Sequence, residues 1–125
     1  MDIHNLEDMS PGESESSFAN LLKKKEDNTL RDAFVYFDGN TPSGALQVGY
    51  VIVYPGCRTN GHTHEDKEEI YYITRGKGTM VVGEEEYEVK SGDTFCVPPK
   101  TFHATINEGS EPVEAFWVVS DLERS

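Results

Sequence analysis

Cysteine is scarce in this chain of 125 residues, which has only Cys57 and Cys96. Neither belongs to a CxxC pair, and each lies near a turn-forming residue. The sequence therefore predicts neither a disulfide framework nor a zinc knuckle. We expect both thiols to be buried or chemically idle.

Positive charge is also scarce. The chain has 11 Lys and Arg residues against 23 Asp and Glu residues, which gives a formal net charge of −12. The acidic residues fall in most parts of the sequence rather than in one tail. A field of this sign repels phosphate backbones and anionic lipid surfaces, so we expect neither nucleic acid nor a membrane as partner.

Long hydrophobic runs are missing as well. Every apolar run is shorter than ten residues, whereas a membrane-spanning helix needs roughly 20. The first residues, MDIHNLED, carry the wrong charge for a signal peptide. We therefore expect a cytoplasmic protein.

The residues that are present predict one all-β domain at 31–125 after a partly ordered N-terminal extension at 1–30. Within the extension, Phe18–Lys25 could form one or two helical turns after a serine cap. The rest reads as short strands rich in Val, Ile, Tyr and Phe, which Gly, Pro, Asp and Asn divide. A hairpin is expected at VVGEEEYEV, with Gly83 and Glu84 at its turn and with Tyr87 and Val89 on a half-buried strand. The predicted strands are FVYFD, ALQVGYVIVYPG, EEIYYITRGKG, GTMVVGEEEYEVKSGD, TFCVPP, FHATINEG and VEAFWVVS.

Two histidines one residue apart, His62 and His64, are the strongest chemical signal. In an extended segment their side chains point to the same side, so both imidazoles can face one ion. Of the acidic residues that follow, Glu69 opens an apolar strand and is best placed to face back toward them. His103 could join if its strand lies beside this segment. Imidazole and carboxylate together suit manganese, iron, cobalt, nickel or zinc, and suit calcium poorly.

The same region matches a known motif. Gly56, His62, His64, Glu69 and Gly76 have the spacing of the first cupin motif, G(X)5HXH(X)3,4E(X)6G. The second motif, G(X)5PXG(X)2H(X)3N, fits at Gly92, Pro98, His103 and Asn107, and Lys100 stands in place of its inner glycine. The chain therefore resembles the cupin superfamily over roughly residues 45–119.

This resemblance implies a small single-domain cupin β-barrel of the jelly-roll type, a double-stranded β-helix. It implies a divalent transition metal near one end of the barrel, bound by His62, His64, Glu69 and His103. The motif glycines, Pro98 and Asn107 are then scaffold. Single-domain cupins commonly form homodimers, and we expect one here. The remaining histidine, His4, lies in the extension and is not expected to be a ligand.

Cupins include several enzyme classes as well as binding modules, so the reaction has to be argued from the site. Alternation along the strand puts Glu69, Tyr71 and Ile73 on the inner face. Tyr71 is then a candidate catalytic base for metal-assisted proton abstraction, as in a lyase, isomerase or decarboxylase acting on a small carboxylate or carbonyl compound. Small cupin lyases that cleave dimethylsulfoniopropionate look similar in ligand set and in this tyrosine. An iron- or manganese-dependent dioxygenase is one alternative, and a non-catalytic cupin that binds a small sugar or acid is another.

Overall fold

The computed structural model describes residues 3–11 and 31–121. Its strands are antiparallel and fall where the sequence predicts them, at intervals set by Gly and Pro turns. The strands are β1 Arg31–Asp38, β2 Leu46–Val53, β3 Lys67–Arg75, β4 Lys77–Val82, β5 Glu85–Lys90, β6 Thr94–Val97, β7 His103–Ile106 and β8 Val113–Asp121. A short 3-10 helix, Leu6–Asp8, is the helix found in the described part of the chain, and no helix there is long and apolar enough to cross a membrane.

The strands form two sheets. The larger has the order β1-β2-β8-β3-β6, and the smaller has the order β5-β4-β7. The hydrophobic core draws Tyr71 and Ile73 from the larger sheet, and Met80 and Val89 from the smaller one. Side chains of both inner faces therefore meet between the sheets, as expected of a jelly-roll barrel.

Strand β3 alternates as the sequence predicts. Glu69, Tyr71 and Ile73 are buried, whereas Ile70 and Tyr72 are exposed. Because the large sheet faces the core on one side, this period of two fixes which side chains can reach the interior. Glu69 is a buried carboxylate at the edge of an otherwise apolar core, and such a group needs charged or hydrogen-bonding partners.

The hairpin between β4 and β5 turns at Gly83 and Glu84, as predicted. Val89 faces the core, but Tyr87 is 49% exposed, so the expectation that both residues lie on a half-buried face was wrong for Tyr87. Its hydroxyl contacts the Glu85 carboxylate at the surface. The buried part of β5 is confined to its C-terminal end, where Val89 pairs with Gly78.

Two further expectations concern the cysteines and the extension. Both cysteines are free thiols, and neither is buried. Cys57 is half-exposed, and Cys96 is exposed on β6, where it pairs with Ile70 of β3. The proposed helix at Phe18–Lys25 lies outside the described residues, and the boundary at residue 30 stays a prediction. His4 packs edge-on against Phe37, with ring centroids 5.0 Å apart.

Candidate metal centre

A two-residue backbone bridge brings the predicted histidines together. The His62 N–H donates to the His103 carbonyl oxygen (3.1 Å), and the His103 N–H donates to the His62 carbonyl oxygen (3.0 Å). The segment before β3 therefore runs antiparallel to the start of β7. This is the arrangement that His103 needs in order to join the predicted site. The two imidazole centroids lie 4.3 Å apart, and His64 lies 4.5 Å from His62.

Glu69 meets these imidazoles from β3. His64 Nε2 lies 2.5 Å and His62 Nε2 3.6 Å from Glu69 Oε1, and His103 Nε2 lies 3.2 Å from Glu69 Oε2. The four predicted ligands thus form one cluster, in which one donor atom from each lies within 4.8 Å of all the others. Glu68, its neighbour in sequence, is exposed on the opposite face.

The donor atoms fit a transition-metal ion. His103 Nδ1 lies 3.4 Å from the Thr101 carbonyl oxygen, a contact that favours a proton on Nδ1 and leaves the lone pair on Nε2. That Nε2 is buried and has no hydrogen bond of adequate geometry among the described residues. A buried imidazole lone pair that faces a carboxylate is poorly satisfied without a cation between them. Three imidazoles and one carboxylate suit borderline dications.

The electrostatics of the cluster also favour ligation. Burial raises the pKa of Glu69, but the neighbouring His103 and His62 imidazoles and the Tyr71 hydroxyl outweigh burial and bring the pKa well below its ordinary value. Glu69 is therefore ionised at neutral pH. Burial lowers the pKa of His64, which favours the neutral form that metal binding requires.

Tyr71 lies next to the cluster, two residues after Glu69 on the same face. Burial raises the pKa of Tyr71 well above its ordinary value, and the Glu69 carboxylate raises it further. The ring stacks on Phe95 at 5.3 Å and lies 6.0 Å from the His103 ring. In the metal-free protein Tyr71 therefore keeps its proton and acts as a hydrogen-bond donor. Its role as a base stays a prediction.

A cavity of about 370 Å³ opens in front of the cluster. Sequence reasoning missed several residues of its wall, chiefly Arg31 on β1 and Gln47 on β2. Trp117 on β8 also lines the cavity. The period of two in β8, Ala115-Trp117-Val119, signals that Trp117 faces inward, but nothing in the sequence places β1 beside the site. The wall also includes Tyr71, Thr59, Asn60, Val51 and Thr105.

The scaffold residues behave as the motifs imply. The Asn107 side chain is fully buried and donates to the carbonyl oxygens of Val53 (2.9 Å) and Glu111 (2.8 Å). Gly76 has φ +81°, and a Cβ there would lie 2.2 Å from the Pro112 carbonyl oxygen, so no other residue fits without a shift. Asn107 and Gly76 therefore fix loops around the barrel and do not contact the cavity.

The fold and site together define a jelly-roll barrel that carries a three-histidine, one-glutamate centre. A family model described as the cupin domain matches residues 49–119. The chain belongs to this family, and the match spans both motifs.

The chain is similar in sequence or fold to several known proteins. It is 48% identical over 63 residues to an uncharacterised protein of Methanocaldococcus jannaschii, covering 50% of each chain. It is 32% identical over 111 residues to the glucose-6-phosphate isomerase of Thermococcus gammatolerans, covering 78% of this chain and 57% of that protein. The chain thus spans about half the length of these curated relatives. A crystal structure from Thermotoga maritima, described as a predicted oxalate decarboxylase, shares the fold with a TM-score of 0.70 and 22% identity, covering 74% of this chain and 81% of that one.

Proposed function

We propose that this cupin is a metal-dependent isomerase that moves a proton between neighbouring carbons of a small carbonyl compound. The observation that carries the proposal is the placement of His62, His64, Glu69, His103 and Tyr71 on the wall of one cavity. The first four residues would hold a divalent ion, which would supply Lewis-acid stabilisation of negative charge on a carbonyl oxygen.

The protein's own groups supply binding and proton handling. A cavity of about 370 Å³ falls within the size range of small-molecule sites. Val51, Val119 and Trp117 give it a partly apolar wall. Tyr71 holds a proton beside Glu69 and can donate it to the substrate carbonyl oxygen, and the resulting phenolate can take the proton from the adjacent carbon to give an enediol. The reverse steps return a proton to the neighbouring carbon and restore the protonated Tyr71. An isomerase needs such a group because the proton removed from one carbon has to be returned to the next.

The similarity to glucose-6-phosphate isomerases supports a phosphorylated sugar as the substrate class. It extends over 78% of this chain, and the predicted ligands lie within the matched cupin domain. The chain covers 57% of the length of the Thermococcus gammatolerans relative, so the substrate of those isomerases is a proposal here. A lyase or decarboxylase would use the same proton chemistry but would release a fragment.

The test begins with chelator-treated protein reloaded separately with manganese, iron, cobalt, nickel or zinc. Turnover of glucose 6-phosphate and fructose 6-phosphate is followed under air and under argon, and in D2O the deuterium incorporated at carbon 2 of the sugar is measured. We expect one or two ions to restore turnover and His64→Ala to lack it. The matched control is His4→Ala, which changes a histidine distant from the cluster.

Two results would contradict the proposal. Turnover that requires oxygen would support a dioxygenase. Saturable sugar binding without turnover or deuterium exchange with any ion would support a binding module.

A further inference from the structure

Arg31 is a basic side chain in the wall of the metal-centre cavity, and no sequence pattern predicts it there. It is the first residue of β1, where it pairs with Val53. Arg31 and Ala33 both line the cavity, whereas Asp32 and Phe34, on the alternate positions, do not. No Lys and no other Arg is among the described residues that line this cavity.

Arg31 has no ion-pair partner in the part of the chain that the structure describes. Among residues 3–11 and 31–121, no carboxylate lies within ion-pairing distance of its guanidinium. The adjacent Asp32 accepts a hydrogen bond from the Tyr54 hydroxyl (2.5 Å). Burial lowers the pKa of Arg31, although Asp32 and Tyr71 act in the opposite sense. A guanidinium keeps its proton in proteins, so a partly buried cation faces the cavity.

Such a cation stands out in a chain with a net charge of −12. A partly buried charge that forms no ion pair with the described residues is costly, and a ligand of opposite charge would compensate it. The fork of a guanidinium matches two oxygens of a phosphate or carboxylate. Arg31 and Tyr71 line the same cavity, so the charge of Arg31 lies in the cavity in which we propose that the chemistry occurs.

We propose that Arg31 binds the oxyanion group of the substrate, a phosphate monoester or a carboxylate. This inference rests on the proposed function, because it takes the substrate of the same cavity to be a small carbonyl compound. Arg31 holds one end of that compound on the β1 wall while the reacting carbons lie near Tyr71 and the four ligands. The substrate class is then anionic, and a neutral sugar is bound poorly.

Trp117 provides the readout, since it is the one tryptophan of the sequence and lines the same cavity. Its fluorescence is recorded while the full-length protein, as purified and after chelator treatment, is titrated with inorganic phosphate or with malonate at constant ionic strength. Calorimetry gives the same affinities independently. The anion that binds more tightly identifies phosphate or carboxylate as the preferred group.

We expect saturable binding of at least one anion, and Arg31→Gln to weaken it by about tenfold to a hundredfold, the scale of lost charge-assisted hydrogen bonds. Arg31→Lys keeps the charge without the fork and should restore part of the affinity. The control, Arg75→Gln, removes an exposed arginine that pairs with Glu114 outside the cavity and should leave binding unchanged. Circular dichroism verifies that each variant is folded.

Unchanged anion affinity in Arg31→Gln, or no saturable anion binding in the wild type, would overturn the inference. Because binding is measured in chelator-treated protein, these results do not depend on turnover. A protein that binds phosphate through Arg31 but isomerises no sugar would retain the inference and lose the proposed function.

Discussion

Glu69 belongs both to the buried face of strand β3 and to the candidate metal centre. It is buried on the core face of β3, and its two oxygens lie within 3.6 Å of three imidazole nitrogens. Glu68 shares its charge and its neighbourhood in sequence but faces solvent. The difference between these adjacent carboxylates follows from the period of two in a strand, which puts one on each face of the sheet.

The substitution Tyr71→Phe tests whether the Tyr71 hydroxyl, which lies next to the cluster, takes part in catalysis or whether the ring only packs. If Tyr71 exchanges a proton with the substrate, its loss should lower turnover by about a hundredfold or more. Metal content should stay the same, because the phenylalanine ring still stacks on Phe95. Elemental analysis and initial rates of both proteins provide the measurement. A rate within a few-fold of wild type at full metal content would remove Tyr71 from the mechanism.

Lys100 occupies the position at which the second cupin motif has glycine, and its backbone is left-handed with φ 61°. Its N–H donates to the His64 carbonyl oxygen (2.6 Å), so the turn supports a ligand segment and keeps its geometry despite the side chain. We expect Lys100→Gly to stabilise the protein by about 1 kcal/mol, because the left-handed region costs a non-glycine residue about that much.

Urea unfolding of the two proteins measures this difference. The matched control is Lys77→Gly in β4, where glycine should destabilise by about 0.5–1 kcal/mol. Equal losses of stability in both variants would show that the turn at Lys100 is not strained.

At the scale of the strands, the sequence predicted most of what local patterning determines. The turn residues divided the strands correctly, and the alternation of β3 placed Glu69, Tyr71 and Ile73 on the inner face. The sequence did not predict contacts between strands that lie far apart along the chain. Arg31 reaches the cavity because β1 is an edge strand beside β2. Tyr87 alternates with charged residues as Val89 does, but on the edge strand β5 it is 49% exposed.

The four ligands were predictable for a different reason. His62, His64 and Glu69 lie within eight consecutive residues, with a bend at Glu65 and Asp66 between the histidines and the strand that carries Glu69. His103 is brought in by its backbone bridge to His62. The sequence supplied that long-range contact only through the resemblance to cupins. Arg31 belongs to no motif, so only the structure reveals it.

Gly49 tests how tightly β2 and β8 form the cavity wall. It pairs with Trp117, and a Cβ at Gly49 would lie 2.1 Å from Trp117 Cζ2 and 2.5 Å from the Phe34 carbonyl oxygen. We expect Gly49→Ala to displace the indole, to change its fluorescence spectrum and to cost about 1–3 kcal/mol of stability, as overpacking does.

Gly109→Ala is the control, since a Cβ there meets its nearest neighbour at 3.5 Å, an ordinary contact. Thermal unfolding and fluorescence spectra of both variants decide the matter. An unaltered Trp117 spectrum in Gly49→Ala would show that β2 and β8 accommodate the added methyl group without displacing the indole.

The molecule as a whole presents an apolar patch on the outer face of its larger sheet. Ile70 is 51% exposed and Tyr72 is 48% exposed, and Phe116, which pairs with Tyr72, is also exposed. Neighbouring exposed apolar groups of this kind are typical of association surfaces. The high negative charge opposes close approach of two copies, so any pairing has to come from such apolar contact.

We predict a homodimer that uses this patch. Sedimentation equilibrium at micromolar concentration should give about twice the 14.0 kDa of one chain, and Tyr72→Glu should shift the mass toward the monomer by burying a charge in the interface. Glu88→Gln, on the exposed strand β5, is the control and should sediment like wild type. A monomeric mass across the concentration range would exclude the dimer.

We propose that His62, His64, Glu69 and His103 together hold one divalent transition-metal ion. Elemental analysis of freshly purified wild type, Glu69→Gln and Glu68→Gln proteins tests it most directly, because the two variants differ only in which face of β3 loses its charge. We predict about one ion per chain in wild type and Glu68→Gln, and an affinity at least about tenfold lower in Glu69→Gln. Equal metal content in the two variants, or none in the wild type after growth with each of the five metals, would contradict the account.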